Sequence, residues 1–316
     1  MRVQRNPTAV VREGMRLRRR GWAVLAVTVL LGSGATALPV QAANAASEAD
    51  SSGRTLDVTA DNNSAGTMDS YRLSTHNLRA GLVRVRLHNF GTVPHQVQLV
   101  RLHPGVTAAS YRQALLASKG GAALMLADAT GGSGTIDPRG LQTTYVNLRA
   151  GHYVALCFLG AGGDGAPHFA HGMFAPFTVR GQDERDVPSG HVLATIKAFT
   201  VGNRMGFHMP AVIHGHGLYR FTNTAPMDTH EFSLLKLAPH KTAADFLAWA
   251  THGMTGKPPV TGDFGGGQAL SPGAELWVRM RLPRGNYVAT CFVPDEAAPH
   301  LPHAALGMVQ GFRVEG

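Results

Sequence analysis

The segment Gly151-His-Tyr-Val-Ala-Leu-Cys157 returns later in the chain as Gly285-Asn-Tyr-Val-Ala-Thr-Cys291. The two segments contain the only two cysteines of the 316-residue sequence. Each is rich in β-branched, aromatic and other apolar residues, and each begins with a glycine that suits the turn of a hairpin. The sequence therefore predicts a strand that leads into a cysteine, and it predicts this strand twice.

The repetition covers much more than these two strands. Two histidines and one methionine recur 135 residues further along the chain. The pairs are His95 and His230, His168 and His303, and Met173 and Met308. Each copy spans roughly 125 residues, which is a usual size for one compact domain. We therefore predict two tandem domains, at 54–180 and 190–316, joined by a polar linker at 181–189.

Short β-rich segments separated by glycine and proline residues predict an all-β protein. The predicted strands are 82–87, 95–102, 143–148, 153–158 and 174–179 in the first copy, and 276–282, 287–292 and 309–314 in the second. One helix is predicted in each copy, beginning at Thr107 or Thr242, because a threonine hydroxyl can cap a first turn. Each copy is thus expected to be a Greek-key β-sandwich with one inserted helix.

Two glycine-rich segments, 131–134 and 265–267, occupy similar places in the two copies. Neither ends in the Gly-Lys-Ser/Thr sequence that a phosphate-binding loop needs. We therefore predict that both segments are flexible connections without a chemical role.

Residues 1–45 are predicted to be a secretory signal peptide, and a short linker at 46–53 follows. Four arginines between residues 16 and 20 precede the apolar run 22–31, and small residues offer cleavage after Ala42 or Ala45. An uncleaved membrane anchor is the alternative, although the apolar run is short for a span. The prediction therefore places the mature protein outside the cytoplasm, in an oxidising compartment.

Most of the basic character of the chain lies in this leader. The formal net charge is +9, and the leader holds seven arginines and one glutamate, a net +6, so that +3 remains after cleavage. Basic residues in the rest of the chain alternate along strands, as expected of a solvent-facing sheet surface. No cluster of basic and aromatic residues is present in the sequence, so nucleic acid is not an expected partner.

The repeated residues form a known set of metal ligands. Two histidines and one cysteine in a trigonal arrangement, with a weak axial methionine, bind copper in blue-copper sites. The predicted ligands are His95, Cys157, His168 and Met173 in the first copy, and His230, Cys291, His303 and Met308 in the second. His171 and His300 are alternative ligands, but only His168 and His303 keep one distance to methionine in both copies. We expect one type 1 copper ion in each domain.

Each of these residues also has an ordinary explanation when it is taken alone. A cysteine on an apolar strand is often a small core residue, and so is a methionine near the start of a strand. In an oxidising compartment the two cysteines could also form a disulfide, which would require equivalent strands of both domains to meet. Copper is the favoured interpretation because all four residues recur together.

The motifs resemble those of the cupredoxin family, over about 54–180 and 190–316. Cupredoxins typically have an asparagine a few residues before the first histidine ligand, as Asn89 and Asn223 are here. They often have His-x4-Met with a glycine before the methionine, which 168–173 and 303–308 both match. The ten and eleven residues between cysteine and histidine exceed the usual spacing of small electron-transfer members and approach that of copper nitrite reductases. The resemblance implies two tandem cupredoxin-like sandwiches.

Electron transfer by an exported copper protein is the function that the resemblance implies. The expected partner is a redox protein, or a copper donor or acceptor protein, and no membrane contact is expected after signal cleavage. A copper carrier or scavenger and a metal-free binding or scaffold module are the alternatives. Enzyme activity is not expected, because multicopper oxidases and nitrite reductases have a histidine directly before the copper-binding cysteine. This chain has Leu156 and Thr290 there.

Overall fold

A computed structural model describes residues 54–62, 69–117, 123, 125–160, 165–298 and 301–316. The predicted signal peptide, the predicted linker at 46–53 and the alternative ligand His300 lie outside these residues. Within the described part of the chain strands predominate, and no helix there is long and apolar enough to span a membrane.

The first half of the described chain contains ten strands and two helices. The strands are β1 (Thr55–Asn62), β2 (Asp69–Leu73), β3 (Asn77–Arg79), β4 (Gly81–Asn89), β5 (Gln98–Leu102), β6 (Ala127–Gly131), β7 (Ser133–Ile136), β8 (Leu141–Leu148), β9 (Gly151–Leu156) and β10 (Phe174–Arg180). Helix α1 spans Ala108–Ala117, and the short helix α2 spans His168–His171. The predicted cap of α1 is present, because the hydroxyl of Thr107 accepts a hydrogen bond from the N–H of Ser110 (3.0 Å).

The second half repeats this order with nine strands and one helix among its described residues. The strands are β11 (Val192–Val201), β12 (Arg204–His208), β13 (Val212–His214), β14 (His216–Asn223), β15 (His230–Leu237), β16 (Val260–Leu270), β17 (Glu275–Arg281), β18 (Gly285–Thr290) and β19 (Val309–Glu315). Helix α3 spans Ala243–Thr251 and has a full capping box. Thr242 accepts from the N–H of Asp245 (3.2 Å), and its own N–H donates to that carboxylate (2.8 Å).

The strands form two sheets, and each sheet runs through both halves. The first has the order β12-β11-β14-β17-β8-β4-β1-β2, and the second has the order β13-β19-β18-β15-β16-β6-β5-β9-β10-β3, with β7 also paired to β16. The halves meet where β17 pairs with β8 and where β16 pairs with β6 and β7. We refer to this line of strand pairs as the seam. The boundaries of the two predicted domains remain a prediction.

The core lies between the two sheets and is shared by the two halves. One cluster of buried apolar residues includes Val85 and Leu99 of the first half together with Phe221 and Phe232 of the second. The inward faces alternate with outward faces as the sequence pattern predicts, so that every second residue of β4 is buried. The result is the predicted all-β, cupredoxin-like β-sandwich in both halves.

The prediction that the glycine-rich segments are flexible loops is wrong. Gly265 lies inside β16, and Gly134 lies inside β7, at the seam. A Cβ atom on Gly134 would stand 2.6 Å from the backbone carbonyl oxygen of Gly265, so a side chain there would push the two strands apart. Gly265 also has a φ of +82°, a conformation that favours glycine. The glycines therefore serve close strand packing between the halves.

Two other expectations need correction. The predicted strand 95–102 begins only at Gln98, and His95 forms an isolated bridge with Ile136 instead. The N–H of Val97 still donates to the carbonyl of Ser133 (3.0 Å), so the segment before Gln98 is bonded to its neighbour without forming a regular ladder. The helix α2 was not predicted, because its four residues are too few to show a periodic pattern.

Candidate metal centres

A buried asparagine fixes the loop that leads to the first predicted histidine ligand. Asn89, at the end of β4, donates from Nδ2 to the carbonyl oxygens of Val93 (2.9 Å) and Ile136 (3.0 Å). Its Oδ1 accepts the N–H of Gly91 (2.9 Å). Beyond this loop His95 exchanges two backbone hydrogen bonds with Ile136, of 3.1 and 2.9 Å. The imidazole of His95 is fully buried as a result.

The second half holds its first histidine in the same way. Asn223, at the end of β14, donates from Nδ2 to the carbonyl oxygens of Asp228 (2.7 Å) and Leu270 (2.8 Å). Its Oδ1 accepts the N–H of Ala225 (3.0 Å). His230, the first residue of β15, lies opposite Leu270 of β16 and is also fully buried. The asparagine before each first histidine therefore closes the loop in both halves.

The other predicted ligands of the first half come from the loop between β9 and β10. Cys157 directly follows β9, and its N–H donates to the carbonyl of Met173 (3.2 Å). The carbonyl of Cys157 accepts the N–H of Phe169 (3.0 Å), and the carbonyl of His168 accepts the N–H of Met173 (3.0 Å). These bonds fold the loop back onto the end of the strand, so that cysteine, histidine and methionine lie together.

The loop between β18 and β19 does the same in the second half with turns in place of a helix. Cys291 directly follows β18, and its carbonyl accepts the N–H of Ala304 (2.7 Å). The carbonyl of His303 accepts the N–H of Met308 (2.9 Å), and the hydroxyl of Thr290 donates to the carbonyl of Met308 (3.0 Å). Both cysteines are buried thiols that are not joined to each other, so the disulfide alternative is not realised.

These loops assemble two matching triads of buried side chains. Site 1 consists of His95, Cys157 and His168. In it the two Nδ1 atoms are 3.1 Å apart, and the Sγ of Cys157 is 3.5 Å from the Nδ1 of His168. Within each triad all ligand atoms lie within 4.8 Å of one another. None of the three side chains of site 1 is more than 3% exposed.

Site 2 consists of His230, Cys291 and His303. Its two Nδ1 atoms are 3.1 Å apart. The Sγ of Cys291 is 3.4 Å from the Nδ1 of His303 and 4.0 Å from the Nδ1 of His230. The two sites therefore agree in their ligand atoms and in their burial.

The triads have the dimensions of a trigonal metal site. Bonds of about 2.0 Å to imidazole nitrogen and about 2.3 Å to thiolate sulfur, the lengths seen for zinc, give triangle edges of about 3.5 and 3.7 Å in a trigonal plane. The edges in the protein are 3.1 Å between nitrogens and 3.4–4.0 Å from sulfur to nitrogen. One thiolate and two imidazoles in such a plane are the donor set that suits copper. The residues present therefore fit a copper ion.

Met173 and Met308 lie beside the triads, and backbone hydrogen bonds connect them to the triad segments. Both side chains are fully buried in the core cluster that also contains the two cysteines. Their backbone hydrogen bonds to the cysteine strand and to the second histidine keep both residues next to the triads. Their assignment as ligands, like that of the six triad residues, remains a prediction.

Burial keeps the histidines of both sites neutral. It lowers the pKa of His95 to about 3, with a further contribution from His168, and it lowers the pKa of His230 to about 4, with a further contribution from His303. Burial also raises the pKa of the Cys291 thiol well above its ordinary value, and the charge of Glu231 adds to this. Neutral imidazoles are ready to bind a metal, whereas this thiol must release its proton on binding.

Of the two candidate histidines in the first half, the structure brings His168 into the triad. His171 lies three residues further along α2, is only partly buried and is not a member of the site. This agrees with the choice made from the spacing to methionine.

The sequence did not predict the residues that contact the triad histidines at Nε2 or the backbone next to the cysteine. Thr200 and Asn62 reach the Nε2 atoms of His230 (2.9 Å) and His95 (3.5 Å). Glu231 accepts the N–H of Phe292 (2.8 Å), directly after Cys291. Asn62 and Thr200 lie on first strands that precede the aligned segments. No motif in the sequence connects them to the histidines.

The two β-sandwich halves and their triads define a cupredoxin-like protein. No protein-family model matches the chain, and no curated protein matches it in sequence. The comparison with solved structures finds similarity to copper proteins, at low identity.

A multicopper oxidase aligns with 83% of this chain and 89% of its own, at 16% identity and a TM-score of 0.25. Reduced auracyanin from Roseiflexus castenholzii aligns with 40% of this chain and 100% of its own, at 18% identity and a TM-score of 0.27. A copper-containing nitrite reductase from Thermus scotoductus SA-01 aligns with 83% of this chain and 61% of its own, at 13% identity and a TM-score of 0.25. Because these scores are low, the fold and the metal site rest on the strand order and ligand geometry described above.

Proposed function

We propose that the protein is an exported electron-transfer protein with one type 1 copper ion in each half. The observation that carries the proposal is the pair of buried His–Cys–His triads, each beside a buried methionine. The proposed ligands are His95, Cys157, His168 and Met173 in site 1, and His230, Cys291, His303 and Met308 in site 2. Bound copper would supply a one-electron redox couple.

The surroundings of the ligands suit this role because they resist movement. In each half the first histidine is held at an asparagine-closed loop, and the other ligands stand in a loop bonded back onto a core strand. A site that keeps its geometry in both oxidation states loses little energy to rearrangement when an electron arrives or leaves. The soft thiolate and thioether favour Cu(I), while imidazole suits both states.

The same residues argue against turnover of a substrate. All six triad residues are at most 3% exposed, so the ligands leave little room for a substrate to reach the metal. Leu156 and Thr290 precede the two cysteines, where a second copper centre would need a histidine. We therefore propose that the protein is not an enzyme.

The proposed partner is a redox protein, or else a protein that donates or accepts copper. The proposal of export rests on the leader sequence, with its arginines before a short apolar run and its small residues at the cleavage positions. After cleavage the protein is proposed to act without membrane contact and without nucleic acid.

Copper addition to the mature protein tests the function. We expect two copper ions per chain, a strong visible thiolate charge-transfer band, and reversible one-electron reduction. Tight binding of Cu(I) without colour would instead indicate a carrier, and no binding would indicate a metal-free module. The matched variants His168→Gln and His171→Gln provide the control, because only the first should remove the copper of site 1.

A further inference from the structure

In each site one residue, at an equivalent position in the two halves, lies close to the Nε2 atom of the first histidine. Strands β1 and β11 open the two halves, and they pair in parallel with β4 and β14 in the same register. Asn62, at the end of β1, and Thr200, near the end of β11, therefore occupy the same place. Each faces the Nε2 atom of the histidine whose Nδ1 atom belongs to the triad.

The two contacts differ in strength. The Oγ1 of Thr200 is 2.9 Å from the Nε2 of His230, which is a full hydrogen-bond distance. The Oδ1 of Asn62 is 3.5 Å from the Nε2 of His95, at the limit for a hydrogen bond. This oxygen also accepts the N–H of Thr92 at 2.7 Å, so Asn62 is engaged mainly with the loop and only weakly with the ligand.

The residue two positions after the closing asparagine also differs between the sites, and it is smaller where the side chain near Nε2 is larger. At site 1 the position is Gly91, where an added Cβ would stand 2.7 Å from the Nε2 of His95 and would collide with the Oδ1 of Asn62. At site 2 the equivalent residue, which also donates its N–H to the closing asparagine, is Ala225. The smaller Thr200 is thus found together with an alanine, and the larger Asn62 with a glycine.

The hydrogen bond has a direct consequence for metal binding. A histidine that binds metal through Nδ1 carries its proton on Nε2, so that Nε2–H becomes a donor. An acceptor behind the ring fixes both this tautomer and the orientation of the ring, and it increases the basicity of the ligand. The hydroxyl of Thr200 is placed to be that acceptor for His230.

We propose that Thr200 is a positioning residue for His230 and that it makes site 2 the tighter of the two copper sites. This inference rests on the proposed function, since it assumes copper at both triads. The two ions are then not equivalent: site 2 fills first as copper is added and empties last in the presence of a chelator.

Single-site proteins provide the test. Cys157→Ser isolates site 2 in the full chain, and Cys291→Ser isolates site 1, so that each Cu(II) affinity can be measured by competition with a chelator. We expect the isolated site 2 to bind more tightly. Adding Thr200→Val to the Cys157→Ser protein should lower its affinity by about 10–100-fold, the usual effect of losing such a partner of a ligand. The electron paramagnetic resonance spectrum should change as well.

Two further measurements separate positioning from general stability. Thr200→Ser keeps the hydroxyl and should retain affinity to within about threefold of the Cys157→Ser parent. The metal-free Thr200→Val protein should unfold at nearly the same urea concentration as its metal-free parent. The proposal is overturned if Thr200→Val binds as tightly as the parent, if Thr200→Ser is as weak as Thr200→Val, or if site 1 binds more tightly than site 2. If the Cys157→Ser parent binds no copper, the proposed function fails, and this inference fails with it.

Discussion

Trp277 lies directly opposite Tyr145 in the antiparallel pair β17 and β8, so that an aromatic side chain of each half meets the other across the seam. Trp277 is 2% exposed, although it points to the outer face of its sheet, away from the inward-facing Leu276 and Val278. It packs there in a separate apolar cluster with Tyr145 and Leu218. The two halves therefore share backbone hydrogen bonds, the central core and a second apolar cluster outside it.

Removing Trp277 should destabilise the whole chain. Truncation of a fully buried aromatic residue costs about 3–5 kcal/mol, because buried apolar area is lost and a cavity remains. We expect Trp277→Ala to lower the free energy of unfolding by that amount, as measured by urea titration followed by circular dichroism. Leu116→Ala is the control: Leu116 is 55% exposed, and its truncation should change stability by about 0.5 kcal/mol or less. Equal effects of the two variants would contradict the buried seam.

Residue type and spacing, both repeated in the chain, were sufficient to predict which histidines and cysteines would lie together. His95, Cys157 and His168 were expected to converge, and they do so in a triad that His171 does not join. Strand alternation likewise predicted β4, β8 and β10 to within one or two residues. Local pattern was sufficient for these features.

The seam, and the contacts of Asn62 and Thr200 with the Nε2 atoms of the histidines, could not be predicted in this way. An edge strand that pairs with another half has the same alternation as one that faces solvent, so β8 and β17 carry no mark of their partnership. The sequence around Gly134 and Gly265 predicts loops, because a glycine that allows close strand packing cannot be told from a loop glycine by sequence alone. Thr200 meets His230 only through the register of β11, which depends on tertiary structure.

A half-buried carboxyl group at the seam should make stability fall toward alkaline pH. Burial, together with the charge of Asp137, raises the pKa of Asp263 to about 8. Between about pH 4 and pH 8 the folded chain therefore keeps a proton on Asp263 that the unfolded chain releases, so the contribution of this group to stability decreases as pH rises through that range. Above about pH 6.5, where the buried histidines are neutral in both states, this contribution should make the measured stability fall. Asp263→Asn should raise the melting temperature at neutral pH and flatten this dependence. The exposed Asp61→Asn serves as the control, and an equal gain from it would contradict the expectation.

The metal-free protein should also lose stability on the acid side. His95 and His230 have pKa values of about 3 and about 4 in the folded chain, against an ordinary value of 6.5. As pH falls from about 6.5 to about 4, these histidines bind protons in the unfolded chain but not in the folded chain. Each histidine therefore lowers the free energy of unfolding by about 1.4 kcal/mol per pH unit. The urea midpoint of the metal-free protein should fall accordingly. A double variant, His95→Gln with His230→Gln, should show a shallower slope, and an unchanged slope would contradict the assignment.

The methionines should affect the redox potential more than the amount of bound copper. An axial thioether bond is long and weak, so its loss leaves the trigonal ligands in place. We expect Met173→Leu to keep two copper ions per chain while it shifts the potential of site 1 alone, and Met308→Leu to do the same at site 2. Met125→Leu is the control, because Met125 is 76% exposed. Loss of copper from Met173→Leu, or a potential unchanged from that of the parent, would count against the axial role.

The two sites should be separable even though the halves share their sheets, because no ligand belongs to both. Serine keeps the size of cysteine but offers a hard oxygen of high pKa that cannot replace a thiolate on copper. Cys157→Ser should therefore remove one copper ion and about half of the thiolate charge-transfer absorption, and Cys291→Ser should remove the other. Copper analysis and the visible spectrum of each variant are the measurement, and the double variant, which should bind none at these sites, is the control. A single variant that still binds two copper ions with full absorption would show that its cysteine is not a ligand.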